Sequence, residues 1–469
     1  MVAPWIQRPR RAFYLALVVC AAGASPAPLR AQVDVPTIGA PTIGAPTTGA
    51  PTTVESDAPP AGAPPGSHLQ VSLMTIGPGD LYWERFSHNA LVIRDERART
   101  EIAYNWGMFD FSEEGYWPRL ARGRMRYYMQ GFSASGWLAQ YRGANRDVWI
   151  QTVNLTPAER LELQTVLTEM DTDANRHYPY DYFRDNCSTR VRDALDRVLG
   201  GQIRVSTEGT DTGTTYRWHT ARLLQPVPLA YAGIQFVVGN RGDETISAWE
   251  EMFLPLRLRE HLEGVRIVNA QGESGPLLGE AVRLVEAVGR VPIPPAPPDL
   301  RLPLLLLGLV FGASFAGFGW AASEEKRWGR WALALSGATW SAGVGFLGTA
   351  LFLSWFFTDH VFWTLNENVF QANPVSLVLA VVLAVMLVRE VLNRSEGQAE
   401  ARAGVRAGIW AGIHVEVVAK MVAGLAILGL LVQVFPGFDQ VNGEVLAVLV
   451  PAHVGLTWGV LRAWPRSMA

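Results

Sequence analysis

Five long apolar stretches near the C-terminus constrain the fold of this chain more than any other feature of its sequence. They follow Leu302, and we place them at residues 302–322, 331–357, 374–392, 409–435 and 445–461. Each stretch is long enough to span a bilayer. A segment in hydrocarbon must satisfy its own backbone hydrogen bonds, which a helix does. We therefore predict an all-α transmembrane domain of about five helices over residues 301–469.

Basic residues alternate between the short loops that join these stretches. Lys and Arg lie in the loop after the first stretch, in the loop after the third and behind the last, whereas loops 358–373 and 436–444 contain neither. Cytoplasmic loops carry the excess of Lys and Arg. The sequence thus predicts a multi-pass protein of the bacterial cytoplasmic (inner) membrane, with its C-terminus in the cytoplasm and residues 25–300 on the periplasmic side.

The N-terminal residues are typical of a secretory signal. Basic residues precede an apolar run at residues 12–22, and small residues follow at a cleavage site. We assign residues 1–24 to a signal peptide, which agrees with the outward placement of the segment that follows.

Two proline-rich segments divide the rest of the extracytoplasmic chain. Residues 25–67 are rich in Pro, Thr, Gly and Ala, and we expect a disordered linker there. Residues 291–300 form a Pro-rich spacer before the first apolar stretch. An extracytoplasmic domain then occupies residues 68–290. The net charge of -3 over 469 residues gives no reason to expect a nucleic acid partner.

Cys187 is the only cysteine outside the predicted signal peptide. Apolar residues follow it at helical spacing, at Val191, Leu195 and Val198, which places Cys187 at the start of a helix. A helix N-terminus favours thiolate over thiol, and its N–H groups can hold an oxyanion. The pattern indicates a nucleophile. The alternative is a buried core cysteine, because free cysteines are among the most buried residues.

His88 is the candidate base. It lies at the edge of a predicted strand at residues 90–93, which follows a strand at 70–76. Helical pieces come next, and Cys187 opens a later helix, so we predict an α+β domain. A Cys and a His that are distant in sequence form a catalytic pair only if the fold brings them together. Asn105, on the strand after His88, is our candidate for the group that orients the imidazole.

Several motifs resemble the extracytoplasmic domain of the Lnb-type lipoprotein N-acyltransferase family. They occur in the family's order within residues 69–256, at positions 73–80, 86–90, 104–111, 180–189 and 249–255. One departure is Ser87, where the family usually has Gly. The resemblance is weaker over the membrane half, where it depends mainly on His360, Asn366, Asn368 and Asn373-Pro374.

The resemblance implies a circularly permuted papain-like (NlpC-like) soluble domain in which the histidine precedes the cysteine. It also implies a membrane-bound thiol acyltransferase that moves a fatty acyl chain from a glycerolipid or lipoprotein ester through Cys187 to an amine, such as a lipoprotein N-terminus. A cysteine peptidase or amidase of cell-wall peptides, a phospholipase or lipid hydrolase, and a non-catalytic binding module are the alternatives. We expect no metal or other cofactor, since there is no second mature cysteine and no His-Glu-x-x-His helix.

Further residues are candidates for oxyanion or substrate binding. Backbone N–H groups at Cys187 and Ser188 are natural oxyanion donors, with Asn186 beside them. In the outward loop of the membrane half, His360, Asn366 and Asn368 would contact a headgroup or substrate, and an ordinary solvated loop is the alternative. An aromatic run would form an acyl-chain groove or belong to the core; its members are Tyr178, Tyr180, Tyr182 and Phe183.

Overall fold

The computed structural model describes residues 62–269, 272–392 and 401–464. The predicted signal peptide and most of the predicted linker lie outside the described residues. Within the described chain there are two compact units. The first comprises residues 62–216 and 245–293, and the second comprises residues 217–244 and 294–464.

An antiparallel sheet forms the centre of the first unit. The strands of the described chain are β1 (Leu69–Ile76), β2 (His88–Asp95), β3 (Thr100–Met108), β4 (Arg126–Ser133), β5 (Val148–Thr152), β6 (His177–Pro179), β7 (Asp211–Thr215), β8 (Thr245–Ser247), β9 (Arg266–Val268), β10 (Ser274–Pro276) and β11 (Val282–Val285). Seven of them form one sheet in the order β11-β5-β1-β2-β3-β4-β6. Because side chains alternate along a strand, β1 places Leu73 in one buried cluster and Met74 in another, one on each face.

Helices cover this sheet and make up most of the second unit. The α-helices of the described chain are α1 (Tyr116–Ala121), α2 (Ala134–Gly143), α3 (Pro157–Met170), α4 (Cys187–Val198), α5 (Gln202–Thr207), α6 (Tyr216–Leu224), α7 (Pro228–Val237), α8 (Ala248–Glu251), α9 (Pro255–Gly264), α10 (Arg301–Ser323), α11 (Arg327–Phe357), α12 (Asn368–Gln371), α13 (Val375–Leu392), α14 (Ala401–Leu431) and α15 (Gly443–Ala463). Helix α4 packs its apolar stripe, which includes Val191 and Leu195, against β2 and β3. The α+β class of the first unit is confirmed.

The second unit contains the predicted membrane helices. Five helical segments of the described chain are long and apolar enough to cross a membrane; they lie in α10, α11, α12–α13, α14 and α15. Helices α10 and α15 pack closely through glycines. A Cβ at Gly319 would lie 2.3 Å from the Cα of Gly459, so only a residue without a side chain permits this approach. The expectation of five apolar helices is confirmed.

Residues 217–244 cluster with the second unit, although the sequence analysis placed them in the soluble domain. The buried Arg217 pairs with Asp243, whose side chain is also largely covered, with 2.6 Å between Nε and Oδ1. Tyr231, on α7, donates its hydroxyl to Glu444 of α15 at 2.8 Å. These bonds join residues that are far apart in the sequence, so local composition does not predict them.

Candidate active site

Cys187 is the first residue of α4, as the sequence predicts. Asn186 caps the helix: its Oδ1 accepts from the backbone N–H groups of Ser188 at 2.9 Å and Thr189 at 3.0 Å. The Thr189 hydroxyl accepts in return from the backbone N–H of Asn186 at 2.8 Å, which completes a capping box. The cap therefore fixes the helix at the residue that carries the thiol.

The predicted substrate-binding residue Asn186 is saturated by bonds within the protein. Besides its capping oxygen, its amide nitrogen donates to the carbonyls of Tyr182 at 3.0 Å and Phe253 at 2.9 Å. These bonds give Asn186 a structural role. A part in substrate binding stays a prediction, and the geometry does not favour it.

The thiol is half-buried, and its surroundings favour the protonated form. Burial raises the pKa of Cys187 to about 11, although the backbone N–H groups of Asn89, Ser188 and Cys187 itself act in the opposite direction. The helix N-terminus alone predicts a thiolate, whereas in the folded domain desolvation outweighs the N–H donors and favours the thiol. At neutral pH the candidate nucleophile is a thiol, which would need a base to react.

His88, the candidate base, is uncharged and is held by one hydrogen bond. Its Nε2 lies 3.1 Å from Oδ1 of the buried Asn105, and Nδ2 of Asn105 donates to the carbonyl of Ala103 at 2.8 Å. The second bond fixes the amide with its oxygen towards the imidazole, so Nε2 carries the ring proton and Nδ1 is left to accept one. Burial lowers the pKa of His88 to about 4, and the imidazole is therefore uncharged at neutral pH. The bond proposed for Asn105 is present.

Asn89 joins the strand of His88 to the helix of Cys187. Its Oδ1 accepts from the Ser188 hydroxyl at 3.0 Å, and its Nδ2 donates to Thr75 Oγ1 on β1 at 3.0 Å. The Ser188 hydroxyl also reaches the carbonyl of Met252 at 2.7 Å. All these groups are buried, so their hydrogen bonds fix the position of β2 relative to α4. Since the Ser188 N–H and hydroxyl are both engaged, its predicted oxyanion role stays a prediction.

The backbone of β3 passes directly over the nucleophile at Gly107. This residue has φ of +84°, and a Cβ added to it would lie 3.4 Å from the Cβ of Cys187. A glycine at this point keeps the space beside the thiol open and permits the left-handed backbone.

Ser87 enters the site in a strained conformation. Its φ is 73° and its ψ is -168°, a region that essentially only glycine occupies without cost. This residue directly precedes His88 and is the position where the resembling family usually has Gly. The departure at Ser87 therefore has a structural consequence: a serine adopts a backbone conformation that favours glycine.

Arg146 is a charged neighbour that the sequence analysis missed. It is buried, and its Nε donates to the carbonyl of Gly77 at 2.9 Å, while Nη1 lies 3.3 Å from Oε1 of Glu84. Gly77 follows Ile76, the β1 partner of His88. The positive charge lowers the pKa values of both Cys187 and His88, after the larger effects of burial and hydrogen bonding. It therefore favours thiolate and disfavours imidazolium.

The candidate residues of the second unit bind backbone groups. Asn366 donates to the carbonyls of Phe236 at 3.0 Å and Val237 at 2.9 Å, and Asn368 donates to the former at 2.8 Å. These carbonyls end α7, so the two fully buried amides cap that helix. His360 is buried and stacks on Trp363, with ring centroids 3.9 Å apart. The loop is thus not solvated at these positions, and a substrate role for the three residues stays a prediction.

The comparison with protein families bears on this site. Residues 62–225 match the family model described as the Lnb N-terminal periplasmic domain. The resemblance is confirmed. The matched range contains His88, Asn105 and Cys187. No curated protein and no solved structure matches the chain.

The family match and the apolar helices together define the protein in broad terms. It is an inner-membrane protein with an extracytoplasmic N-terminal domain. The domain family indicates a membrane enzyme of the lipoprotein-modifying type. In the part of the chain that the structure describes, no group of three or more His, Cys, Asp or Glu residues could hold a metal ion.

Proposed function

We propose that this protein is a membrane-bound thiol acyltransferase. It moves a fatty acyl chain from a glycerolipid or lipoprotein ester, through a thioester on Cys187, to an amine, and a lipoprotein N-terminus is the acceptor that fits the family. The observation that carries the proposal is the Asn105–His88 hydrogen bond, one residue from the backbone N–H of Asn89 that hydrogen-bonds the helix-capped Cys187. These residues lie within a segment that matches the Lnb periplasmic domain.

The first half-reaction forms the thioester. Sγ of Cys187 bonds to the ester carbonyl carbon while Nδ1 of His88 accepts the thiol proton. Since the thiol pKa is about 11 and the imidazole pKa about 4, a preformed ion pair is unfavourable and proton transfer accompanies attack. Backbone N–H groups near the sulfur, those of Asn89 and Cys187, are suited to the oxyanion. The ester C–O bond then breaks, and the departing alkoxide takes the proton from His88.

The second half-reaction regenerates the enzyme. The acceptor amine attacks the thioester carbonyl and loses a proton to His88. The C–S bond breaks, an amide forms, and the thiolate of Cys187 recovers the proton. Asn105 holds the imidazole in one tautomer through both steps, because its oxygen accepts only from a protonated Nε2.

The products of a diacylated lipopeptide distinguish this function from the alternatives. Purified full-length protein is incubated with the lipopeptide, and the products are identified by mass spectrometry. We expect an acyl group on the peptide amine and a matching lyso product, both absent with Cys187→Ala. His88→Ala should also lower the yield of both products, whereas His177→Ala, which removes an exposed histidine of the same unit, should not and serves as its control. Free fatty acid without amide would indicate a lipid hydrolase, and a cleaved peptide would indicate a peptidase.

A further inference from the structure

The first unit exposes a patch of large apolar side chains next to the catalytic strands. Leu81, Tyr82, Phe111 and Trp117 are 47%, 53%, 42% and 42% exposed. We call these four residues the aromatic patch. Leu81 and Tyr82 lie on the loop that leads into His88. Phe111 lies on the loop that leaves β3, and Trp117 lies on α1, which follows that loop. Contiguous exposed apolar surface of this kind is unusual on a soluble domain and marks a binding surface.

Ring contacts connect the three aromatic residues of the patch. The rings of Phe111 and Trp117 stack with centroids 5.8 Å apart. Trp83, on the loop that leads into His88, connects the two groups, with its ring centroid 5.9 Å from that of Phe111 and 4.7 Å from that of Tyr82. The loop before His88, the loop after β3 and α1 therefore present one surface.

A row of rings leads from the aromatic patch towards the nucleophile. Phe111 contacts Phe109 at 4.9 Å, Phe109 stacks on Tyr127 at 5.0 Å, and Tyr127 stacks on Tyr180 at 4.0 Å between centroids. We call Phe109, Tyr127 and Tyr180 the ring row. Tyr180 and Cys187 pack against the same hydrophobic core. The pKa of Tyr180 is raised well above its ordinary value, first by burial and then by Cys187, which is consistent with a ring close to the sulfur.

We propose that the aromatic patch and the ring row bind the acyl chain of the lipid substrate. This inference rests on the proposed function, because a thioester on Cys187 places a long hydrocarbon chain at the inner end of the ring row. The same chain carries five helical segments that are long and apolar enough to cross a membrane, so lipid acyl chains are the apolar ligand that this domain meets. Each methylene that leaves water strengthens binding by roughly fourfold, which makes an apolar track valuable for a long chain.

The run Tyr178 to Phe183 contributes to this track only in part. Tyr180 belongs to the ring row, whereas Phe183 is buried and stacks on Tyr216 at 4.6 Å and contacts Phe253 at 5.3 Å. The acyl surface thus follows β3, β4 and the loops next to them, and of the run before Cys187 it includes only Tyr180.

Variants at exposed positions test the inference with least risk to folding. Phe111→Ser and Trp117→Ser are compared with Val205→Ser, which removes an exposed apolar side chain from α5 of the same unit. The readout is the rate of acyl-thioester formation on the full-length protein, from a butyryl ester and a palmitoyl ester of the same leaving group. On this inference, only the long chain extends along the ring row to the aromatic patch.

With the palmitoyl ester we expect each ring variant to lower kcat/KM by about tenfold, through a higher KM. With the butyryl ester we expect wild-type rates for all three variants. Equal palmitoyl rates for wild type and both ring variants, or an equal loss with both esters, would overturn the inference while leaving the proposed function intact. Absence of any thioester on the wild type would instead refute the proposed function itself.

A second measurement is independent of folding effects. Wild-type protein is acylated with a fatty acyl chain that carries a photoreactive group at its end, illuminated and digested. We expect crosslinks to the peptides that contain Tyr82, Phe111 or Trp117. Crosslinks confined to other peptides of the first unit would contradict the inference.

Discussion

Both units contain buried asparagine side chains, yet the two sets differ in what they bind. In the first unit, Asn105 accepts from the imidazole of His88 and leaves the other ring nitrogen to take a proton. In the second unit, Asn366 and Asn368 donate to backbone carbonyls at the end of α7. An amide that orients a reactive side chain serves chemistry, whereas an amide that satisfies orphan carbonyls serves folding. The residue types alone do not separate the two cases.

The largest expected effect sharpens the contrast between the two histidines. His88→Ala should slow thioester formation by about 10³-fold, because general-base assistance is lost. His360→Ala should leave this rate unchanged, since its ring stacks on Trp363 in the second unit. Stopped incubations followed by intact-mass analysis give both rates. Equal losses of rate in the two variants would contradict this contrast and would indicate that the loop of the second unit takes part in catalysis.

Alkylation tests the uncharged state of the catalytic thiol. The raised pKa of Cys187, about 11 against 9.0 for an ordinary thiol, leaves about 100-fold less thiolate at neutral pH. Because the pKa is raised, the thiolate fraction grows with pH up to about 11. The rate of iodoacetamide alkylation, followed by intact mass, should rise about tenfold per pH unit over this range. A rate already maximal at neutral pH would indicate a preformed thiolate–imidazolium pair instead.

Substitutions at the two kinds of asparagine should affect different quantities, the rate of thioester formation in one case and the stability of the protein in the other. Asn105→Ala should lower the rate of thioester formation by about 30-fold, since the imidazole loses its orienting acceptor. Asn105→Asp keeps an acceptor, and it should retain more of the rate and raise the pKa of His88 in the pH–rate profile. Asn368→Ala should leave the rate unchanged but cost about 1–3 kcal/mol of stability, because buried carbonyls lose a donor. The opposite pattern in rates and melting temperatures would reverse the assignment.

Arg146 acts on the site through its charge. Arg146→Met should raise the pKa of Cys187 further and that of His88 towards its ordinary value, because the guanidinium lowers both. The alkylation rate at a given pH should then fall by about tenfold. Arg142→Met, at an exposed arginine on α2, is the matched control. Unchanged alkylation in Arg146→Met would show that the buried arginine has only a structural role.

The smallest effect concerns the turn that carries His88. Ser87→Gly should stabilise the protein by about 1 kcal/mol, because glycine adopts the observed backbone conformation without strain. This figure is smaller than the full strain energy, since glycine also increases the conformational entropy of the unfolded chain. Thermal unfolding should show a higher melting temperature with an unchanged rate of thioester formation. A lower melting temperature would mean that the turn is not strained.

Local signals in the sequence predicted the elements of the site well. The apolar spacing after Cys187 identified the start of α4, and the length of the apolar stretches identified the membrane helices. The strand positions of His88 and Asn105 made their contact a reasonable hypothesis. These features depend on residues close together in the chain, where helical and strand periodicities operate.

Long-range features could not be predicted in this way. The thiol pKa depends on how deeply the folded domain buries Cys187, and that desolvation reverses the effect expected from the helix N-terminus. Arg146 is held near the site by hydrogen bonds to Gly77 and Glu84, which lie 69 and 62 positions away in sequence. The pairing of α7 with Asn366 and Asn368 likewise spans well over a hundred residues.

The most direct test of the account is whether Cys187 carries an acyl chain during turnover. Wild-type protein, incubated with a diacylated lipopeptide whose amine is blocked, is analysed by intact mass without reductant and then treated with hydroxylamine. The account predicts one added acyl mass that hydroxylamine removes and that is absent from Cys187→Ala. An acyl mass that persists in Cys187→Ala, or amide formation with an open acceptor and no thioester at any time, would contradict it.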